Sequence, residues 1–90
     1  MKKRIQTYIA MNGSVGCLPD NSILCESYEQ AADSLVELFE LEDNDADELR
    51  GNGVIYFYGR EAEMGADYAE IVKGDIMSRK EYDLACENWN

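Results

Sequence analysis

Apolar and polar residues alternate at the start of the chain. From Arg4 to Met11, Ile5, Thr7, Ile9 and Met11 fall on one side and Arg4, Gln6, Tyr8 and Ala10 on the other, which is the period of a half-buried strand. Asn12-Gly13 opens a stretch of turn formers with Gly16, Pro19, Asp20 and Asn21, and a brief extended segment from Ile23 to Cys25 is expected to pair back on the first strand. Ser27 and Gln30 have capping-box spacing, and Tyr28, Ala31, Ala32, Leu35, Val36 and Phe39 then recur at helical spacing. These positions predict a helix from Tyr28 to about Leu41 with one continuous apolar stripe.

A second, short helical turn is predicted from Asp45 to Arg50, closed by Gly51, with Asn52-Gly53 completing the break. Val54 to Tyr58 is β-branched and aromatic, and Ala66 to Lys73 is strand-like. With Gly59 and Gly65 bounding the connection, the two predict an antiparallel hairpin. A small sheet buries one face and exposes the other, so one ring of Tyr56-Phe57-Tyr58 is expected in the core, while Tyr56 and Tyr58 are candidate interface anchors. Ser78 and Glu81 make a second capping box, with Met77 and Tyr82 at the positions of a hydrophobic staple. Tyr82, Ala85, Cys86 and Trp89 continue the helical period, so a docked C-terminal helix is expected, with Cys86 a small buried hydrophobe. The order predicts one α+β domain spanning 1–90. Its small antiparallel sheet of three or four strands carries a long acidic helix and a C-terminal helix on one face.

Composition fits that picture. The chain has 90 residues, 46% of them hydrophobic, with six Tyr, two Phe and one Trp, enough apolar surface for a single modest core. Met1-Lys2-Lys3-Arg4 has the basic flank of a signal peptide, but Gln6, Thr7 and Asn12 interrupt any apolar region behind it. No apolar run approaches the ~20 residues that span a bilayer. Cys17, Cys25 and Cys86 are an odd number of cysteines and are read as free, reduced thiols. A cytoplasmic protein without a membrane partner is expected.

Charge changes the picture more. Nineteen Asp and Glu against eight Lys and Arg give a net charge of −11, a field that repels phosphate backbones and attracts basic surfaces, so direct nucleic-acid binding is disfavoured. Ten acidic residues and no Lys or Arg lie between Glu26 and Leu49. On the long helix, Glu29, Asp33, Glu37 and Glu40 are spaced by four, four and three residues, a stripe opposite the apolar one. Neighbouring like charges repel at that spacing. Glu40, Glu42 and Asp43 are also set against the dipole at the helix C-terminus. One reading makes the stripe, with the cluster Glu42, Asp43, Asp45, Asp47 and Glu48, a solvated face that keeps a small protein soluble. The other makes it a row of carboxylates about 6 Å apart standing in for nucleic-acid phosphates in a Lys- and Arg-lined cleft.

Catalytic and metal chemistry find little support. The absence of histidine removes the commonest general base and zinc ligand. The cysteines form no Cys-x-x-Cys pair, which argues against a zinc ribbon or a thioredoxin-like site. Asp43, Asp45 and Asp47 alternate as an EF-hand loop begins, but Glu48 stands where Gly is needed and Val54 where the bidentate Glu is needed. Asp67, Glu70 and Lys73 loosely resemble the acid, acid, lysine set of metal-dependent nucleases, with one residue too many before the lysine. Gly13 and Gly16 lack the Lys-Ser or Lys-Thr pair of a phosphate loop. No catalytic residue, metal or cofactor is expected, and metal-dependent chemistry trails the binding readings.

The strand Tyr8-Ile9-Ala10-Met11-Asn12-Gly13, then Gly16, then an acidic helix, resembles the opening module of ArdA-type antirestriction proteins over roughly the first 40 residues. That family places a bulky aromatic shortly after the second glycine, where this chain has Cys17-Leu18-Pro19-Asp20, and it carries further domains. Its members mimic DNA, and small acidic phage and mobile-element proteins also include anti-CRISPRs that block guide-RNA effector complexes. The resemblance implies a role against host defence in a bacterial cytoplasm, by binding a basic nucleic-acid-binding protein or effector complex. Glu29, Asp33, Glu37, Glu40 and the Glu42 to Glu48 cluster are then the candidate contacts. The alternative is a small structural or assembly adaptor whose acidity serves solubility only, with aromatic and apolar surface as its contacts.

Overall fold

The computed structural model describes residues 4–89, so Met1-Lys2-Lys3 of the basic flank lie outside it. Strands β1 (Arg4–Gly13), β2 (Asn21–Cys25), β3 (Val54–Tyr56) and β4 (Tyr68–Ser78) form an antiparallel sheet in the order β2-β1-β4-β3. Helices α1 (Tyr28–Phe39), α2 (Asp43–Asn52), the single turn α3 (Glu61–Met64) and α4 (Arg79–Glu87) complete an α+β domain.

Registers assign the faces. Ala10 pairs with Ile71, Asn12 with Ala69, and Ala69 in turn with Ile55, and Ala10, Ala69, Ile55 and Ile71 are buried with Ala31, Ala32 and Leu35 of α1 and Leu49 of α2. Alanines on both sides of this contact let α1 approach the sheet closely. Tyr8 meets Tyr28 edge-on with ring centroids 5.6 Å apart. The helix layer therefore covers the Tyr8–Ala10–Asn12 side of β1, and the more apolar Ile5–Thr7–Ile9–Met11 side faces the other way.

Ser27 caps α1 by accepting from the Gln30 N–H, but the Gln30 side chain reaches back to the Glu26 N–H at 2.8 Å instead of closing the box on Ser27. The α2 helix is longer than expected. Gly51 lies inside it, and the left-handed residue that ends it is Gly53, φ 77°, whose N–H bonds the Leu49 carbonyl at 2.7 Å. Buried Ala46 and Leu49 anchor α2, and the Tyr28 hydroxyl donates to the Arg50 carbonyl at 2.8 Å, satisfying a C-terminal acceptor.

The expected hairpin is present as β3 and β4, with shifted limits. β3 stops at Tyr56, Phe57 turns fully inward against Phe39, and α3 fills the connection. β4 runs on past Lys73 to Ser78 because Gly74 and Asp75 form a bulge opposite Thr7, between the pairs Gln6–Ile76 and Tyr8–Lys73. The Thr7 hydroxyl donates to the Asp75 carbonyl at 2.6 Å, the Gln6 amide donates to the Gly74 carbonyl at 2.8 Å, and a β-carbon on Gly74 would fall 2.5 Å from the Thr7 Oγ1.

The C-terminal helix begins with a full Ser78–Glu81 capping box. It lies along the outer edge of β2: the Tyr82 hydroxyl donates to the Leu24 carbonyl at 3.4 Å, and Trp89 Nε1 to the Ser22 carbonyl at 3.0 Å. α4 thus occupies the rim and α1 and α2 the face, an arrangement that blunts an open strand edge. On this rim Cys86 is exposed, against the expectation of burial, because Tyr82 and Trp89 fill the contact with the edge.

Candidate functional site

The acidic residues are carried by α1 and α2, packed side by side. Glu29, Asp33 and Glu37 are exposed along α1, while Asp43, Asp47 and Glu48 are exposed on α2 with Asp45 half-buried. The run without Lys or Arg in the sequence conceals two cations that the fold brings in from outside it. Arg50, at the end of α2, reaches across to α1, with its Nη2 2.6 Å from Asp33 Oδ1 and its Nε 3.9 Å from Glu29 Oε2. Arg60, in the turn after β3, holds both oxygens of Asp45 at 2.9 and 3.4 Å, its guanidinium 5.7 Å from the centre of the Phe57 ring.

Each arginine sits among three carboxylates. The Arg50 pKa is raised first by the hydrogen bond it donates to Asp33 and then by the fields of Asp33, Glu29 and Asp47. The Arg60 pKa is raised by Asp45, with Glu63 and Glu48 adding to it. Glu63 belongs to α3, a turn the sequence pattern does not announce, and it is an acidic residue of this surface that sequence reasoning missed. Among the described residues, Glu37, Glu40, Glu42, Asp43, Asp47 and Glu48 make no ion pair.

The corner between the two helices has its own geometry. Glu40 is the one non-glycine with positive φ among the described residues, at φ 50° and ψ 48°. Its N–H bonds the Glu37 carbonyl at 3.3 Å and the Leu41 N–H bonds the Val36 carbonyl at 3.0 Å, the paired reverse bonds of a Schellman ending. Glycine is the usual occupant there. Glu42 and Asp43, expected to oppose the α1 dipole, are instead the N-cap and first residue of α2, where the dipole favours acid. Only Glu40 is left as the electrostatic misfit.

Tyr56 and Tyr58 stand apart from this surface. Tyr56 pairs with Tyr68 on the opposite side of β3 from buried Ile55, hence on the sheet face away from α1. Tyr58, 79% exposed, stacks on Tyr56 with centroids 5.6 Å apart. The fold therefore gathers the nine predicted carboxylates on the helix layer and leaves the two predicted tyrosines on another surface.

Other motifs resolve into structural roles. Asp67 accepts from the Val15 N–H at 2.9 Å and ties the loop after β1 to the start of β4, so it does not form a site with Glu70 and Lys73. Among the described residues no three thiols or carboxylates converge to hold a metal ion. No protein-family model, curated protein or solved structure matches the chain.

Proposed function

We propose that this chain is an acidic binding protein that inhibits a nucleic-acid-binding protein or effector complex by occupying its phosphate-binding surface, as antirestriction and anti-CRISPR proteins do. The observation that carries the proposal is the unpaired acid at the α1–α2 corner: Glu37, Glu40, Glu42, Asp43, Asp47 and Glu48 without an ion-pair partner among the described residues. Stability alone gives no reason to concentrate like charge there, because helical neighbours of one sign repel. A Lys- and Arg-lined cleft supplies the missing counter-charge and releases the ions it holds against phosphates. On this reading the chain acts by occupancy and not by catalysis, within the cytoplasm of a bacterial cell.

The test is capture from a bacterial lysate by the immobilised chain, beside the Glu37→Lys, Asp47→Lys double variant, with elution by salt or by duplex DNA. A nucleic-acid-binding protein retained at low salt, released by duplex DNA and not bound by the variant is the expected result. Retention indifferent to salt, DNA and the double substitution would overturn it and favour an assembly adaptor, a second reading supported by the exposed, stacked Tyr56 and Tyr58.

A further inference from the structure

Two arginines of this fold pack on aromatic rings, and each holds a carboxylate at the same time. Arg60 lies 5.7 Å from the centre of the Phe57 ring and is paired to Asp45; Arg79 lies 5.4 Å from the centre of the Tyr82 ring and is paired to Glu26. A third set of rings stands beside a carboxylate with no arginine among the described residues. It is on the sheet face turned away from α1 and α2, where Tyr56 of β3 and Tyr68 and Glu70 of β4 point outward. Trp89 lines a cavity with Thr7, Ile9 and Leu24 at the far end of that face and leaves the end at Tyr56 and Tyr68 open. There Tyr58 stacks on Tyr56, and Tyr68 meets Tyr56 with ring centroids 6.4 Å apart and planes tilted by 48°. Tyr58 is 79% exposed and Tyr56 43%. Glu70, paired to Met11 on one side and Val54 on the other, is half-buried and makes no ion pair among the described residues. Burial raises the Tyr68 phenol pKa, and the fields of Glu70 and Asp20 raise it further, as befits a ring beside two carboxylates.

We propose that Tyr56, Tyr58, Tyr68 and Glu70 form a site for an arginine side chain of a partner protein, with the guanidinium on the ring faces and its N–H groups on the Glu70 carboxylate. Glu70 is the next outward residue after Tyr68, about 7 Å along the strand, and the diagonal neighbour of Tyr56 across the β3–β4 pair. A guanidinium within the roughly 6 Å range of a cation–π contact with these rings is therefore in reach of the carboxylate. Charge selects the class of ligand. A half-buried carboxylate regains from a cation part of the stabilisation that it loses by leaving water. Nucleic acid is turned away by Glu70 and by the net charge of −11, and an apolar or proline-rich segment laid on the rings would bury the carboxylate further without pairing it. Geometry then selects arginine over lysine. A planar guanidinium stacks on a ring while bonding a carboxylate through two N–H groups, whereas an ammonium is a compact, strongly hydrated point charge. The site is on the opposite side of the sheet from the acidic layer and does not rest on the function proposed for that layer.

The test is an NMR titration of the full chain, isotope-labelled in tyrosine and glutamate, with the terminally blocked peptide Gly-Arg-Gly, beside Gly-Lys-Gly and Pro-Pro-Pro. The arginine peptide is expected to shift the ring signals of Tyr56, Tyr58 and Tyr68 and the Glu70 carboxyl signal saturably, with a midpoint on the order of 10 mM or tighter for a ligand of so few atoms. NOEs from the arginine δ-protons to the Tyr56 or Tyr68 ring are expected with it. The lysine peptide should bind at least about fivefold more weakly, and Glu70→Gln, close to glutamate in shape, should weaken the arginine peptide by about fivefold or more. Should Glu70→Gln fail to fold, the three peptides on the wild type still decide. Ring signals that do not move, shifts confined to the carboxylates of α1 and α2, or an equal response to the lysine or the proline peptide overturn the proposal. So does undiminished affinity in a folded Glu70→Gln.

Discussion

Arg50 of α2 holds Asp33 of α1 at 2.6 Å, so an acidic stripe that is uniform in sequence is divided in space into a partly neutralised segment and an uncompensated one. Glu29 and Asp33 share the arginine, whereas Glu37 and Glu40, farther along the same helix, have no partner among the described residues. Replacing Arg50 by Gln removes the only cation paired to α1 among the described residues. The expected result is a lower melting temperature at low salt and a smaller difference near 1 M salt, where the screening length falls to about 3 Å. Thermal melts of both proteins at the two salt concentrations check it. If the acidic layer binds a basic cleft, the same variant should bind more tightly at low salt, because it exposes two more carboxylates.

Glu40 is the residue at which stability and the proposed function diverge. An L-residue in the left-handed region costs roughly 1–2 kcal/mol relative to glycine, and a carboxylate at a helix C-terminus adds a small dipole penalty. Glu40→Gly is expected to stabilise the fold by about 1 kcal/mol, on the order of 4 °C or more in Tm for a domain of this size. It should also weaken capture of a basic partner. Urea denaturation of the variant measures the first effect. A variant no more stable than wild type would mean that the Glu40 carboxylate contributes to the fold in some way that offsets the strain.

Much of this architecture was legible in the chain. The alternation of β1, the helical stripe of α1, the burial of one ring of Tyr56-Phe57-Tyr58 and the Ser78–Glu81 capping box are local signals, and local structure follows them. What was not legible depends on contacts distant in sequence. The bulge at Gly74-Asp75 reads as a strand end until Thr7 and Gln6, almost seventy residues away, bond its carbonyls. The side of β1 that meets the helices is set by alanines matched on α1, although Ile5, Ile9 and Met11 carry the greater hydrophobicity. Arg50 and Arg60 lie just beyond the acidic run in sequence but inside it in space. For the candidate site the sequence shows the carboxylates as one run, without any means of telling which of them the fold neutralises.

The β2 edge supplies a prediction about pH. Tyr82 is 8% exposed, with its hydroxyl on the Leu24 carbonyl. Burial is the first cause that pushes its pKa well above the ordinary tyrosine value of 10.0, followed by the hydrogen bond with Cys86 and the nearby acidic groups. Burial likewise raises the Cys25 thiol and, more weakly seated, the Tyr68 phenol. For each group the folded pKa exceeds the unfolded one, so the unfolded chain binds fewer protons as the pH rises past the ordinary value. The stability these groups contribute is complete below about pH 9, the unfolded range of thiols and phenols, and is lost progressively above it. Tyr82→Phe removes the largest of these ionisations together with one hydrogen bond. It is therefore expected to be less stable than wild type at neutral pH by about 0.5–1 kcal/mol, the net worth of such a bond, and to lose less stability between pH 9 and pH 11. Urea midpoints at neutral pH and across that interval decide the matter: parallel pH profiles for the two proteins would show that the Tyr82 hydroxyl does not govern alkaline unfolding.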